Sequence, residues 1–206
     1  CGGEDQSKLN PKNMGPRDFS EKEWEILSGN KYLSAFFNTC YGFQKRTSGV
    51  YHADNTAMLD ENGNNLNGWL LGLQEADKLL EENPNLSTMW YVRGGIWHER
   101  GDNPQSEQTE RMETCYSNAV ESLEKALNLD PENGKIWYVL ASTYRDMAED
   151  LSPADRLDNY EKAYSAVQKA LYYMGEDASH ATDPYGSVIH ADFLLSECRN
   201  VLGKER

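Results

Sequence analysis

Ala119-Val120-Glu121-Ser122-Leu123-Glu124-Lys125-Ala126-Leu127-Asn128-Leu129-Asp130-Pro131-Glu132-Asn133-Gly134-Lys135-Ile136-Trp137-Tyr138-Val139-Leu140-Ala141-Ser142-Thr143-Tyr144 is the stretch that decides the fold. Ala119, Leu123, Ala126 and Leu127 recur at spacings of three and four, the apolar stripe of an amphipathic helix. Asp130-Pro131-Glu132-Asn133 stops that helix, because proline has no N–H to continue the ladder. The stripe resumes at Trp137, Leu140, Ala141 and Tyr144. The reading is two helices folded back across a tight turn, with small residues where the backbones meet and large aromatics beside them.

The pattern recurs on both sides. Upstream, Trp90-x2-Arg93-Gly94-x2-Trp97 repeats the second half and runs into Gly101-Asp102, with Arg93 where an apolar residue is expected. Downstream, Ala163-x3-Val167-x2-Ala170-x4-Gly175 repeats the first half, with glycine in the place of Pro131. Together these residues resemble the tetratricopeptide repeat, whose first helix reads W-x2-L-G-x2-Y and whose second reads A-x3-F-x2-A-x4-P. The resemblance covers roughly residues 66–175. It implies that Trp90, Gly94, Trp97, Ala119, Leu123, Ala126, Pro131, Trp137, Leu140, Ala141, Tyr144, Ala163, Val167 and Ala170 pack the helices together.

The spacing departs from that family. Trp90 and Trp137 are 47 residues apart, where the family period is about 34. Twenty-one residues separate Trp97 from Ala119, and eighteen separate Tyr144 from Ala163. Asn103-Pro104 and Ser152-Pro153 lie in these gaps and read as helix starts, a capping side chain followed by proline at the first helical position. The expectation is second helices of more than about twenty residues, overhanging their shorter partners.

Outside the two clear repeats, residues 1–19 read as a flexible tether and residues 20–206 as one helical domain. Ser20-Glu21-Lys22-Glu23 is a capping box opening a helix that carries Trp24, Leu27, Leu33, Phe36, Phe37, Cys40 and Tyr41. Residues 47–66 are polar loop, and Gly72-x3-Ala76-x2-Leu79-x4-Pro84 keeps the closing frame of a degenerate repeat. Asp183-Pro184 caps a last helix over residues 184–202, which is expected to cover the apolar end that stacked repeats expose. The fold class is all-α: a short α-solenoid of about three hairpins resembling tetratricopeptide repeats, plus a C-terminal capping helix.

Composition narrows the partners. A formal net charge of −14 argues against nucleic acid and against an electrostatic grip on anionic lipid. No apolar run reaches the roughly 20 residues of a membrane span. Cys1-Gly2-Gly3-Glu4-Asp5-Gln6-Ser7 and the Gly/Asn/Pro-rich residues up to Pro16 resemble the N-terminus of a mature bacterial lipoprotein. That resemblance implies acylation of Cys1 and a lipid anchor at the bacterial cell envelope, on the periplasmic or outer-membrane side, since two or more acyl chains hold a protein stably. The alternative is a chain end that falls at a cysteine by chance. Cys40, Cys115 and Cys198 read as buried helical thiols, with room for at most one disulfide among them.

No constellation of catalytic residues stands out, and no cofactor is expected. Asp60-Glu61-Asn62-Gly63-Asn64-Asn65 has the oxygen ligands of a calcium loop, but the glycine and glutamate that such a loop needs are Asn65 and Leu71 here. It reads as a turn, and no metal is expected. His52, His98, His180 and His190 are scattered, and His98 falls on a repeat helix where it is either solvated or lines a groove. In the family, the first helix of each pair lines a concave partner groove. The matching positions are Tyr91, Gly95 and His98 in one repeat, and Tyr138, Ser142 and Arg145 in the next. The tyrosines either stack on a partner or pack against a neighbouring helix. The expected function is a lipid-anchored scaffold or adaptor that assembles a protein complex at an envelope membrane, not an enzyme. A pilotin-like lipoprotein that escorts secretins, and a small-ligand-binding accessory of a periplasmic transporter, are the alternatives.

Overall fold

Pro84 and Pro131 each break the chain between two helices, and the two breaks are built alike. In the first, the Asn83 N–H donates to the Leu79 carbonyl at 2.8 Å, Leu86 N–H to Asn83 at 3.3 Å and Trp90 N–H to Leu86 at 3.2 Å. In the second, Asp130 donates to Ala126 at 2.8 Å, Asn133 to Asp130 at 3.4 Å and Trp137 to Asn133 at 3.3 Å. Every partner is displaced by 47 residues, as Trp90 and Trp137 are. The indoles repeat it too: Trp90 Nε1 donates to the Pro84 carbonyl and Trp137 Nε1 to the Pro131 carbonyl, both at 2.8 Å.

The computed structural model of the chain describes residues 68–102, 110–174 and 187–204. Among these are six helices and no strand: α1 (Gly68–Glu82), α2 (Ser87–Asp102), α3 (Met112–Leu129), α4 (Gly134–Asp150), α5 (Arg156–Met174) and α6 (Ser187–Leu202). The chain divides into two compact units, Cys1–Glu75 and Ala76–Arg206. Of the first, only the opening of α1 is described. The tether, the helix expected after Ser20 and the Asp60–Asn65 turn lie outside the described residues.

In the second unit, α2 packs along α3, α4 along α5, and α5 along α6, with α3 and α4 in contact between the hairpins. Small residues set the approach. A Cβ on Gly94 would lie 2.7 Å from Leu123 Cγ, and one on Gly101 would lie 2.5 Å from the Tyr116 ring. In the following hairpin the equivalent residues are Ala141 and Val167, then Ala148 and Tyr160, all within one buried cluster. Where alanine replaces Gly94, the residue equivalent to Leu123 is the smaller Val167. The cluster extends to Ala191, Leu194 and Cys198 of α6, while Phe193 on α6 stays 71% exposed.

The long overhanging helices are not what forms. α3 starts at Met112 and has 18 residues; α5 starts at Arg156 and has 19, against 16 for α2 and 17 for α4. Ser152-Pro153 opens a turn instead of a helix. The Ala154 N–H donates to Ser152 Oγ at 3.3 Å and the Asp155 N–H to the Ser152 carbonyl at 3.1 Å, which postpones the helix by three residues. Before α3, the extended backbone of Arg111 (φ −73°, ψ 148°) caps the helix, so α3 itself begins at Met112; Asn103-Pro104 lies outside the described residues. Between α4 and α5 the extra spacing is taken up by the turn at residues 151–155. At the other end, Gly203 (φ 64°) terminates α6, and the Lys204 N–H reaches back to the Arg199 carbonyl at 3.0 Å.

Gly134, at the start of α4, tests this packing most directly. A Cβ there would lie 2.8 Å from both the Ala170 carbonyl oxygen and the Met174 nitrogen, backbone atoms that cannot turn aside. Gly134→Ala is expected to destabilise the protein by about 1–3 kcal/mol in chemical denaturation. Alanine's advantage in helix propensity, up to about 1 kcal/mol, would act the other way.

Candidate functional site

The last turn of α4 carries Glu149 and Asp150 and no basic residue, where a helix dipole disfavours negative charge, and Asp146 lies just before it. Each carboxylate is held from a neighbouring element. Asp146, 6% exposed, places Oδ2 2.7 Å from His98 Nε2 on α2 and Oδ1 3.0 Å from Arg145 Nη1. Asp150 Oδ2 accepts from the Tyr116 hydroxyl on α3 at 2.6 Å. Glu149 Oε1 lies 2.6 Å from the Tyr160 hydroxyl and 2.8 Å from Arg156 Nη2, both on α5. Tyr160 Oη also lies 2.8 Å from Glu197 Oε1 on α6, so one hydroxyl proton is shared between two carboxylates. The result is a polar ladder from α2 to α6.

Electrostatics follow from this geometry. Burial alone would lower the His98 imidazole below its ordinary 6.5, but the hydrogen bond and charge of Asp146, with Glu99 and Asp102 nearby, raise it instead. Burial, and then the hydrogen bond to Asp150, drives the Tyr116 phenol far above its ordinary range. Tyr160 moves the same way, through burial and then Glu149 and Glu197. Hydrogen bonds from Tyr160 and Arg156 hold Glu149 below the usual carboxylate range. Beside the ladder, Arg100, itself buried, reaches Glu110 at 2.5 Å and sits over the Trp97 ring.

Of the expected groove residues, His98 and Arg145 are brought together on one carboxylate. Tyr91 and Gly95 are buried, whereas Tyr138 and Ser142 are half-buried. Arg93, conspicuous in the sequence, donates to Asp77 Oδ1 and to the buried Ser122 Oγ, both at 2.6 Å. Cys115 and Cys198 are buried thiols not joined in a disulfide; burial pushes Cys198 up to about 11. Cys1 and Cys40 lie outside the described residues. The ladder's Tyr116 and Tyr160 were legible only in outline. They are 44 residues apart, as Ala119 and Ala163 are, but the family pattern gives that position no role.

Two substitutions separate the ladder from ordinary surface charge. Asp146→Ala leaves His98 and Arg145 without their shared partner and is expected to cost about 3 kcal/mol. Asp158→Ala, on an exposed carboxylate paired with Lys162 four residues along, is expected to change stability by less than about 0.5 kcal/mol. Urea unfolding of both variants beside the wild type checks the contrast.

Among the described residues, no group of three or more His, Cys, Asp or Glu side chains is placed to hold a metal ion. No protein-family model matches the chain, and neither a curated protein nor a solved structure matches it.

Proposed function

We propose that the chain is a helical-repeat adaptor, its hairpins stacked as in a short solenoid of the tetratricopeptide type, which binds a protein partner and performs no chemistry. The observation that supports this reading most is the repetition: turn hydrogen bonds and the indole-to-proline bond recur at a 47-residue offset, and a lysine over each tryptophan recurs at 44. Lys125 lies 4.5 Å from the Trp90 ring centre and Lys169 lies 4.1 Å from that of Trp137. A unit that cannot bury its apolar face alone does so by stacking on its neighbour, and such stacks present extended surfaces suited to peptides and helices. The polar ladder fits a structural role, since its carboxylates are engaged by phenols, guanidinium groups and imidazole of the same chain.

The partner face in this reading is the α4 surface around Tyr138 and Ser142. Ser142 is the cleaner test of that face, because burial of Tyr91 makes its replacement a stability change as well. Ser142→Arg is expected to keep the melting transition of the wild type within a few degrees. It should also remove the partner cross-links that the wild type forms at α4 in detergent-solubilised membranes. A wild-type protein that yields no stoichiometric cross-linked partner overturns the adaptor reading. The envelope location belongs to the same proposal and has its own readout: acylation of Cys1 in the intact protein, and release of Cys1→Ser into the soluble fraction. Among the described residues, no helix is long and apolar enough to cross a membrane.

A further inference from the structure

His98 and Asp146 are the charged pair that joins α2 of one hairpin directly to α4 of the next, 48 residues further along the chain. The imidazole is 13% exposed and the carboxylate 6%, so the contact is largely shielded while a proton can still reach the ring. Its two oxygens are divided between two cations: Oδ2 faces His98 and Oδ1 faces Arg145. Arginine does not titrate in proteins, whereas histidine changes charge near neutrality. The Arg145 contact lies within α4, so of these two contacts the one that crosses to α2 is the one that depends on a proton.

We propose that the His98–Asp146 contact is a proton-linked clasp, which grips the α2–α3 hairpin to α4 when the imidazole is charged and loosens that junction when the proton leaves. The surroundings set its direction. From α2, Glu99 and Asp102 add negative charge near the ring, and Tyr116 of α3 lies 6.3 Å from it, ring to ring. Asp150 of α4 is occupied by Tyr116, and Arg100 of α2 by Glu110. Arg145 is further balanced by Glu197 of α6 and lies near Tyr160 of α5. Carboxylates outnumber cations about the imidazole, which favours the charged ring and opposes its burial as a neutral one. Because the folded-state value is raised, the clasp contributes fully below about pH 6.5 and is lost as pH climbs through that raised value.

The neutral ring keeps a hydrogen bond to Asp146 but loses the charge attraction, so loosening rather than rupture is the outcome. Such a junction changes how freely the two hairpins open relative to each other, in the manner of sub-global units that open separately. This inference stands apart from the adaptor reading, because it concerns the junction and not what the surface binds.

Hydrogen exchange followed by mass spectrometry on the full chain tests it, with each rate corrected for the intrinsic effect of pH. Between about pH 6 and about pH 8.5, α2 and α3 of the wild type are expected to lose protection. The loss should be roughly tenfold for every pH unit by which the folded imidazole value exceeds the open one. The inner part of α5 should lose none. In His98→Gln, which keeps a donor but cannot titrate, the profile of α2 and α3 should be flat, and this separates His98 from the other histidines. Equal pH dependence in wild type and His98→Gln overturns the clasp, as does equal loss in α2, α3 and α5. Should His98→Gln fail to fold, NMR titration of the wild-type imidazole decides: a midpoint above 6.5 supports the clasp, and one at or below 6.5 overturns it.

Discussion

The constraint on which much of this structure depends is the acidic last turn of α4. Glu149 and Asp150 in the last turn meet the unfavourable end of the helix dipole, and with Asp146 just before them the three carboxylates repel one another. They are tolerable because α2, α3 and α5 each bring a donor to them: His98, Tyr116, and Tyr160 with Arg156. The consequence is geometric. A hydrophobic stripe permits sliding by part of a turn, but a buried hydroxyl 2.6 Å from a carboxylate has one good position. The ladder therefore fixes the register in which α2 and α3 meet α4, and in which α5 meets α4 and α6.

The opposite ends of these helices are organised by different physics. There the proline turns, the indole N–H bonds to proline carbonyls and the lysines over the tryptophan rings repeat from one hairpin to the next. A cation over an exposed ring contributes only about 0.5–1 kcal/mol, so this edge contributes more to local shape than to stability. Between the two edges lies the apolar packing, where volume is traded across positions. Gly94 meets Leu123, whereas Ala141 shares its cluster with Val167. At the other pair the tyrosine is kept while Gly101 becomes Ala148, so the helix pairing recurs although neither the residues nor their summed size are held constant.

Much of the architecture was legible in the sequence for the same reason. Proline and glycine punctuate sharply, and the Ala/Leu and Trp/Tyr spacings admit a helical reading, so the turns at Pro84 and Pro131 and the pairing of α2 with α3 and of α4 with α5 follow from pattern. Helix length did not. Asn103-Pro104 and Ser152-Pro153 carry the composition of a helix start, yet Ser152 satisfies nearby backbone N–H groups in a turn, and α5 waits until Arg156. The ladder was also out of reach. In the sequence Asp146, Glu149 and Asp150 are three carboxylates on one helix, and only the three-dimensional arrival of Tyr116, Tyr160 and His98 from other helices makes them a hydrogen-bonded network, with Asp146 buried and the other two at its exposed edge. Periodicity records which residues face inward along one helix; it carries nothing about which polar groups from separate helices will meet.

That contrast bears on where specificity lies. Contacts that repeat between hairpins are the generic means of joining two helices, and any unit of the array needs them. Contacts that break the repeat carry information particular to one position. The buried tyrosines are retained 44 residues apart, but Tyr116 addresses one carboxylate and Tyr160 two. His98 occupies on α2 the position that Arg145 occupies on α4, and both turn to Asp146. Arginine there would hold the junction at every pH; histidine makes it conditional. The repeat thus supplies a scaffold in which one substitution within an otherwise shared frame changes the junction from permanent to proton-dependent, without altering the helices that carry it.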